Sequence, residues 1–193
     1  MAMKIIAGTA RGRNILTTPK DIMVRPISGR MRQSLFDVLK PRITGAYFLD
    51  IFAGTGAVGL EALSRGALKV CFVDKDPRCI KVIGKNLDRL GWAEKSTVQR
   101  GDVLGPLTWI PHRAGIEAFD LIFLGPPYRD EKNTMLAFST PVLNHISKGG
   151  ILAPDGWTVC QHHKKEKIEA IPGLEQFRQV RYGDTIMSYY RRA

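Results

Sequence analysis

Two short segments hold the residues best placed for chemistry. The first is Asp50-Ile51-Phe52-Ala53-Gly54-Thr55-Gly56-Ala57-Val58-Gly59. It follows a run that reads as a buried strand and leads into one that reads as a helix. Glycines at such a junction let the backbone turn sharply and let a ligand approach it closely. The next strand-like run ends in Asp74, twenty positions beyond Gly54. An acid there can accept hydrogen bonds from both hydroxyls of a ribose, which implies a nucleoside-containing cofactor. Glycine spacing and distal acid alone fit NAD as well as S-adenosylmethionine. Asp50, four residues before Gly54, favours the latter, because a carboxylate there can organise the loop and meet a cationic end of the cofactor.

The second segment runs from Phe119-Asp120-Leu121-Ile122-Phe123-Leu124 into Gly125-Pro126-Pro127-Tyr128. Two consecutive prolines fix φ twice and remove two amide donors, leaving carbonyls on a rigid support. The Tyr128 ring can lie against a planar base, which suits an unpaired nucleobase presenting an amino group. A plain turn with a core tyrosine is the other reading of the same residues.

These residues need strands and helices in alternation to hold them. Strands are expected at Tyr47–Ile51, Val70–Asp74, Thr97–Arg100, Phe119–Leu124 and Trp157–Gln161. Helices are expected at Val58–Ser64, at Pro77–Leu90 with Gly91 as its C-terminal cap, and within 133–146, interrupted or restarted at Pro141. Apolar strands alternating with helices imply a parallel sheet covered on both faces. Phe177–Tyr182 and Thr185–Tyr190, separated by Gly183-Asp184, read as an antiparallel hairpin. Ahead of the glycine loop, Ser28 caps a helix whose Met31, Leu35, Val38 and Leu39 share one face and which ends at Pro41. The first thirty residues are basic and punctuated by Gly and Pro. They read as a small extension carrying a hairpin, Lys4–Ala7 with Asn14–Thr17, too short to fold alone. The boundary is drawn at residues 1–27 for the extension and 28–193 for the main domain.

Composition narrows the partners. The chain has 193 residues, 44% of them apolar, enough for one compact domain. Lys and Arg number 29 against 18 Asp and Glu, a net charge of +11 that attracts polyanions through phosphate neutralisation. No run approaches a membrane span, and no secretory h-region is visible, so a cytoplasmic protein is expected. Cys71, Cys79 and Cys160 form no CxxC pair and read as buried free thiols. His162-His163 lies on or beside a strand, lacks a partner motif and reads as surface, so no metal site is expected.

The chain resembles the RsmD-type 16S rRNA guanine-N2 methyltransferases along nearly its whole length. The resemblance rests on Ile6–Arg13, Arg25-Pro26 with Arg30 and Arg32, Ser34-Leu35-Phe36, Leu49–Ala67, Phe72-Val73-Asp74, Asn86-Leu87, Gly101-Asp102, Phe123–Tyr128 and Arg181–Thr185. It implies an α/β, Rossmann-like class I fold: a mostly parallel seven-stranded sheet, a C-terminal antiparallel hairpin and a small basic N-terminal extension. It further implies direct methyl transfer from S-adenosylmethionine to the exocyclic N2 of a guanine in 16S rRNA or the assembling small subunit, by a monomer without metal. Asp50, Phe52, Ala53, Gly54 and Gly56 would then hold the amino-acid end of the cofactor. Asp74 would hold its ribose, and Lys75 and Asp102 its adenine. Arg11, Arg13, Arg25, Arg30 and Arg32 would contact RNA phosphates.

The family pattern has Asp or Asn before Pro-Pro-Tyr, whereas this chain has Gly125. The missing side-chain oxygen would accept a hydrogen bond from the target amine. Three readings stay open: a slow enzyme using a water or Asp130 instead, a non-catalytic relative that still binds cofactor and RNA, or an introduced substitution. A DNA adenine-N6 methyltransferase and an NAD-dependent oxidoreductase are the competing activities.

Overall fold

The computed structural model describes residues 3–18 and 27–193; Arg25 falls outside them. A two-stranded ribbon, β1 (Met3–Lys4) and β2 (Asn14–Ile15), precedes a seven-stranded sheet. The sheet comprises β3 (Tyr47–Ile51), β4 (Lys69–Asp74), β5 (Ser96–Arg100), β6 (Phe119–Leu124), β7 (Leu152–His163), β8 (Leu174–Tyr182) and β9 (Thr185–Arg192), in the order β5-β4-β3-β6-β7-β9-β8. The strands β5 to β7 are mutually parallel, and β9 is antiparallel to both its neighbours. The expected fold class is therefore the observed one.

Alternation along the strands builds two cores. Phe48, Phe72, Leu121, Phe123 and Val159 face α1 (Gly29–Leu39), α2 (Ala57–Ser64) and α3 (Pro77–Leu90). Leu49, Ile51, Val73, Ile122 and Leu124 face α4 (Trp109–Ala114) and α5 (Ser139–Lys148). Apolar side chains on both faces are what a fully covered parallel sheet requires. Ser28 caps α1, accepting from Met31 N at 3.2 Å, and Asp76 caps α3, accepting from Arg78 N at 2.8 Å. Gly91, at φ 72°, ends α3. The three cysteines are free and buried.

Several elements depart from expectation for local reasons. The first ribbon is shorter because Ile6 and Ala7 donate their amides to Glu61 on α2 rather than across the hairpin. Helix α5 starts only at Ser139, which puts Pro141 in the first turn, where its missing N–H breaks no bond. Residues 129–135 instead turn back on themselves through an Arg129–Met135 bridge. The short helix α4 was not anticipated, since Pro111 breaks any helical pattern there. Strands β7 and β8 both begin earlier than expected, and β7 also runs on to His163. His162 is buried rather than on the surface, with Nε2 2.9 Å from Ser188 Oγ.

The N-terminal extension is sewn onto the helices that follow the glycine loop. Glu61 is fully buried and accepts from Ile6 N at 2.8 Å and Ala7 N at 2.9 Å. Its carboxylate also pairs with Arg65 at 2.9 Å and Arg32 at 3.3 Å. Ser64 Oγ donates to Ala7 O and accepts from Ala10 N. Asn86 on α3 accepts from Leu16 N at 2.7 Å and donates to Leu16 O. Ile5, Ala10 and Ile15 share the core of α1 to α3.

Candidate active site

All the strand ends that matter lie on one rim of the sheet. The order reverses between β3 and β6, which leave that rim side by side and connect to opposite faces. Crevices at such switch points are where α/β sheets bind ligands.

On the β3 side, Asp50 is buried and its Oδ2 accepts from Gly59 N, the third glycine of the loop, at 2.9 Å. Burial raises its carboxyl to about 8; the Gly59 hydrogen bond works against this and the charge of Asp74 adds to it. Ala53 N donates to Val73 O at 3.1 Å, and Gly54 N to Asp74 Oδ2 at 2.8 Å. Gly56 closes the turn at φ 76°, a region that glycine enters without steric cost. A Cβ at Gly59 would lie 2.2 Å from the Phe72 ring, so this position admits no side chain while α2 rests on β4. Phe52 also has a positive φ, 60°, and its ring lies parallel to that of Phe138, 6.3 Å away. A non-glycine residue held there marks a strained loop of the kind that concentrates at binding sites.

Asp74 ends β4 half-buried. Its Oδ1 accepts from Asp76 N at 2.9 Å while Oδ2 holds the glycine loop. Each carboxylate oxygen has a second lone pair, leaving capacity for a ribose hydroxyl. Beyond Asp74, a cavity of about 420 Å³ is lined by Lys75, Arg100, Gly101 and Asp102. Asp102 Oδ1 accepts from Leu104 N at 2.9 Å, which orients its carboxylate at the end of β5. Glycine amides, the Asp74 carboxylate and a small recess with a second acid thus follow one another along the rim. This set fits a nucleoside bearing a cationic amino-acid tail, and Asp50, Phe52, Ala53, Gly54, Gly56, Asp74, Lys75 and Asp102 are the residues that would hold it.

On the β6 side, Gly125 to Tyr128 turn away from the strand end. Tyr128 Oη accepts from Gln161 Nε2 at 3.0 Å and lies 3.2 Å from Thr185 Oγ1, to which it donates. Its ring meets His163 edge-on, with centroids 5.7 Å apart. A cavity of about 560 Å³ opens beside it, walled by Arg30 and Met31 of α1, by Gln161, and by Arg181 and Thr185 of the β8–β9 hairpin. Tyr182 and Ser34 share a hydrogen bond that ties this hairpin to α1. Asp130 Oδ1 accepts from Thr134 N at 2.7 Å and so serves its own turn.

The five arginines named from the sequence separate. Arg30 is exposed on the wall of the Tyr128 cavity. Arg11 and Arg13 are exposed on the extension, with Arg13 donating to Arg89 O at 2.9 Å, and line neither cavity. Arg25 lies outside the described residues. Arg32 is corrected: it is 2% exposed, pairs with Glu61 and donates to Lys4 O, so it holds the extension and is shut away from any phosphate. Gln161, Thr185 and Arg181 are at the site but had no role in the sequence reading. Arg181 and Thr185 sit in a motif that carried the resemblance, and that was the one available signal. Among the described residues no group of three His, Cys, Asp or Glu could hold a metal, and no helix is long and apolar enough to cross a membrane.

Strand order, the antiparallel β9 and a glycine turn facing an acid on the neighbouring strand define the class I methyltransferase architecture. Solved structures agree: the yhhF protein of Escherichia coli superposes with a TM-score of 0.80 at 26% identity, covering 100% of this chain and 98% of that one. The chain belongs to the RsmD-type methyltransferase family, whose model, described as Conserved hypothetical protein 95, matches residues 3–191. YlbH of Bacillus subtilis (strain 168) is 32% identical over 191 residues, 98% of this chain and 99% of its own length. Ribosomal RNA small subunit methyltransferase D of Haemophilus influenzae is 35% identical over 182 residues, 88% of this chain and 90% of its own length.

Proposed function

We propose that this chain is an S-adenosylmethionine-dependent rRNA methyltransferase acting on the exocyclic N2 of a guanine in 16S rRNA. The observation that carries the reading is the shared rim: the Asp50–Gly59 loop with Asp74 on one side of the switch point, and the Tyr128 cavity on the other. The names of the family relatives supply the rRNA class of substrate.

When bound, S-adenosylmethionine would supply a methyl group already activated by its sulfonium charge. The residues of this chain position and enclose. The glycine amides would hold the amino-acid end, with buried Asp50 bracing the loop through Gly59 N and adding its charge from behind, and Asp74 and Asp102 would fix the nucleoside. Tyr128, immobilised by Gln161 and Thr185, offers its face to the base. The Pro126 carbonyl accepts one hydrogen of the target amine, and the surplus proton leaves to water. Holding both reactants in line accounts for most of the acceleration such a site can provide. Arg30 faces the phosphates flanking the base, and Arg11 and Arg13 extend the basic surface.

Transfer of labelled methyl to small ribosomal subunits lacking the modification tests the reading, with naked rRNA and duplex DNA alongside. Transfer to the subunit or its RNA is expected. Methylation of DNA adenine alone would overturn it, as would calorimetry showing NAD, and not S-adenosylmethionine, in the glycine loop.

A further inference from the structure

The register of the sheet sets one polar side chain beside the position where the family carries its Asp or Asn. Leu124 on β6 pairs with Cys160 on β7 in parallel. One step on stand Gly125 and Gln161. Residues level with each other on adjacent strands carry their side chains on the same face, so Gln161 neighbours the position that Gly125 leaves bare. Phe123 and Val159, two residues earlier on each strand, confirm the face by sharing the α1 to α3 core.

Gln161 is 7% exposed, lines the cavity beside Tyr128 and uses its amide nitrogen to hold the Tyr128 hydroxyl. Its carbonyl oxygen, Oε1, is buried and has no hydrogen-bond partner among the described residues. A buried acceptor left unmatched costs free energy, and a native structure usually gives it a use. Asp130, the acid that follows the segment, is committed to its own turn.

We propose that Gln161 supplies the acceptor that Gly125 lacks: its Oε1 receives a hydrogen bond from the amino edge of the guanine seated against Tyr128. The assignment rests on the methyltransferase reading above. A neutral amide does at this site what a carboxylate or carboxamide at position 125 does elsewhere in the family. It holds the amine with its lone pair free for the methyl and takes no proton itself. The acceptor has moved from β6 to β7, and the single donor–acceptor contact is kept.

The test is a double-mutant cycle between positions 125 and 161, read as methyl transfer to unmodified small subunits. Gln161→Ala should lower kcat on the order of 10- to 100-fold, with KM for the subunit and the S-adenosylmethionine Kd within about threefold. Gln161→Glu keeps an acceptor but loses the amide that donates to Tyr128 Oη, so its rate should fall between those of wild type and Gln161→Ala. Gly125→Asn should restore most of the rate lost in Gln161→Ala. Position 125 has an ordinary backbone, and a Cβ there meets only the Phe123 ring, at 3.1 Å. Thermal midpoints of all variants separate folding from function. A Gln161→Ala rate within twofold of wild type overturns the inference, as does a Gln161→Ala loss that Gly125→Asn leaves unchanged. An inert wild type made active by Gly125→Asn also overturns it, while leaving the methyltransferase reading standing. No transfer by either form removes both.

Discussion

Asp74 Oδ2 accepts the amide hydrogen of Gly54 at 2.8 Å, so the acid at the end of β4 shapes the glycine loop from the position proposed to meet a ribose. One residue thereby couples the form of the loop to the ligand it would bind. Asp74→Ala should weaken S-adenosylmethionine binding by 100-fold or more, since a charge-assisted hydrogen bond to the loop and one to the ribose are lost together. Asp74→Asn keeps an acceptor and should lose less. Calorimetric titration checks the order, and equal affinities in wild type and Asp74→Ala would remove Asp74 from the site.

Asp50 gives a pH signature. Burial lifts its carboxyl to about 8, so the folded protein keeps a proton that the unfolded chain releases near pH 4. The folded state then binds more protons across that interval, and the sign of the linkage is that stability falls as pH rises from about 4 to about 8. A cationic ligand end beside Asp50 favours the ionised form, so S-adenosylmethionine should bind more tightly as pH climbs towards 8, with proton release below it. Asp50→Asn should flatten both profiles; an unchanged slope in that variant would rule Asp50 out as the titrating group.

Arg30 and Arg32 are two residues apart and should behave oppositely. Arg30→Ala should leave the melting temperature unchanged and reduce the salt dependence of RNA binding by about 0.7 to 0.9 in log–log slope, as one phosphate contact is lost. Arg32→Ala should lower the melting temperature and leave that slope alone, because its partner is Glu61. Filter binding across a salt series, with calorimetric melting, separates the two.

Glu61 holds two extension amides and two guanidinium groups while fully buried. Glu61→Ala should cost about 3–5 kcal/mol, because it strands buried positive charge. Gly8→Ala should loosen the same seam by another route: Gly8 sits at φ 83°, and a Cβ there would lie 1.8 Å from Ser64 O. Hydrogen exchange should show residues 3–18 opening in Gly8→Ala before the main sheet does.

The fold was legible because periodicity reports burial, and burial decides strand and helix here. Phe48 to Ile51 and Phe119 to Leu124 carry, apart from Asp50 and Asp120, apolar side chains on both faces, and their alternation with helical segments points to a covered parallel sheet. The glycine loop was legible because its spacing is a backbone requirement. Partners distant in the chain were not. Helical spacing does set Arg32, unlike Arg30, on the face of Leu35, Phe36 and Leu39, but what lets a guanidinium be buried there is Glu61, twenty-nine residues on. Gln161 reads as one more residue of a strand until the register of β7 against β6 sets it beside Gly125. His162 looked exposed because its partner Ser188 comes from the antiparallel β9.

Strand β9 is threaded between β7 and β8 although β8 precedes it in the chain. During synthesis, the loop and strands β3 to β6 can therefore assemble while β7 still has a bare edge and Tyr128 still lacks Thr185. A nascent chain halted before position 185 would present a nearly finished glycine-loop crevice next to an unguarded ribbon edge, open to pairing with another such chain. Competence at the acceptor side thus comes late in translation, and chaperone cover would matter most during those final steps.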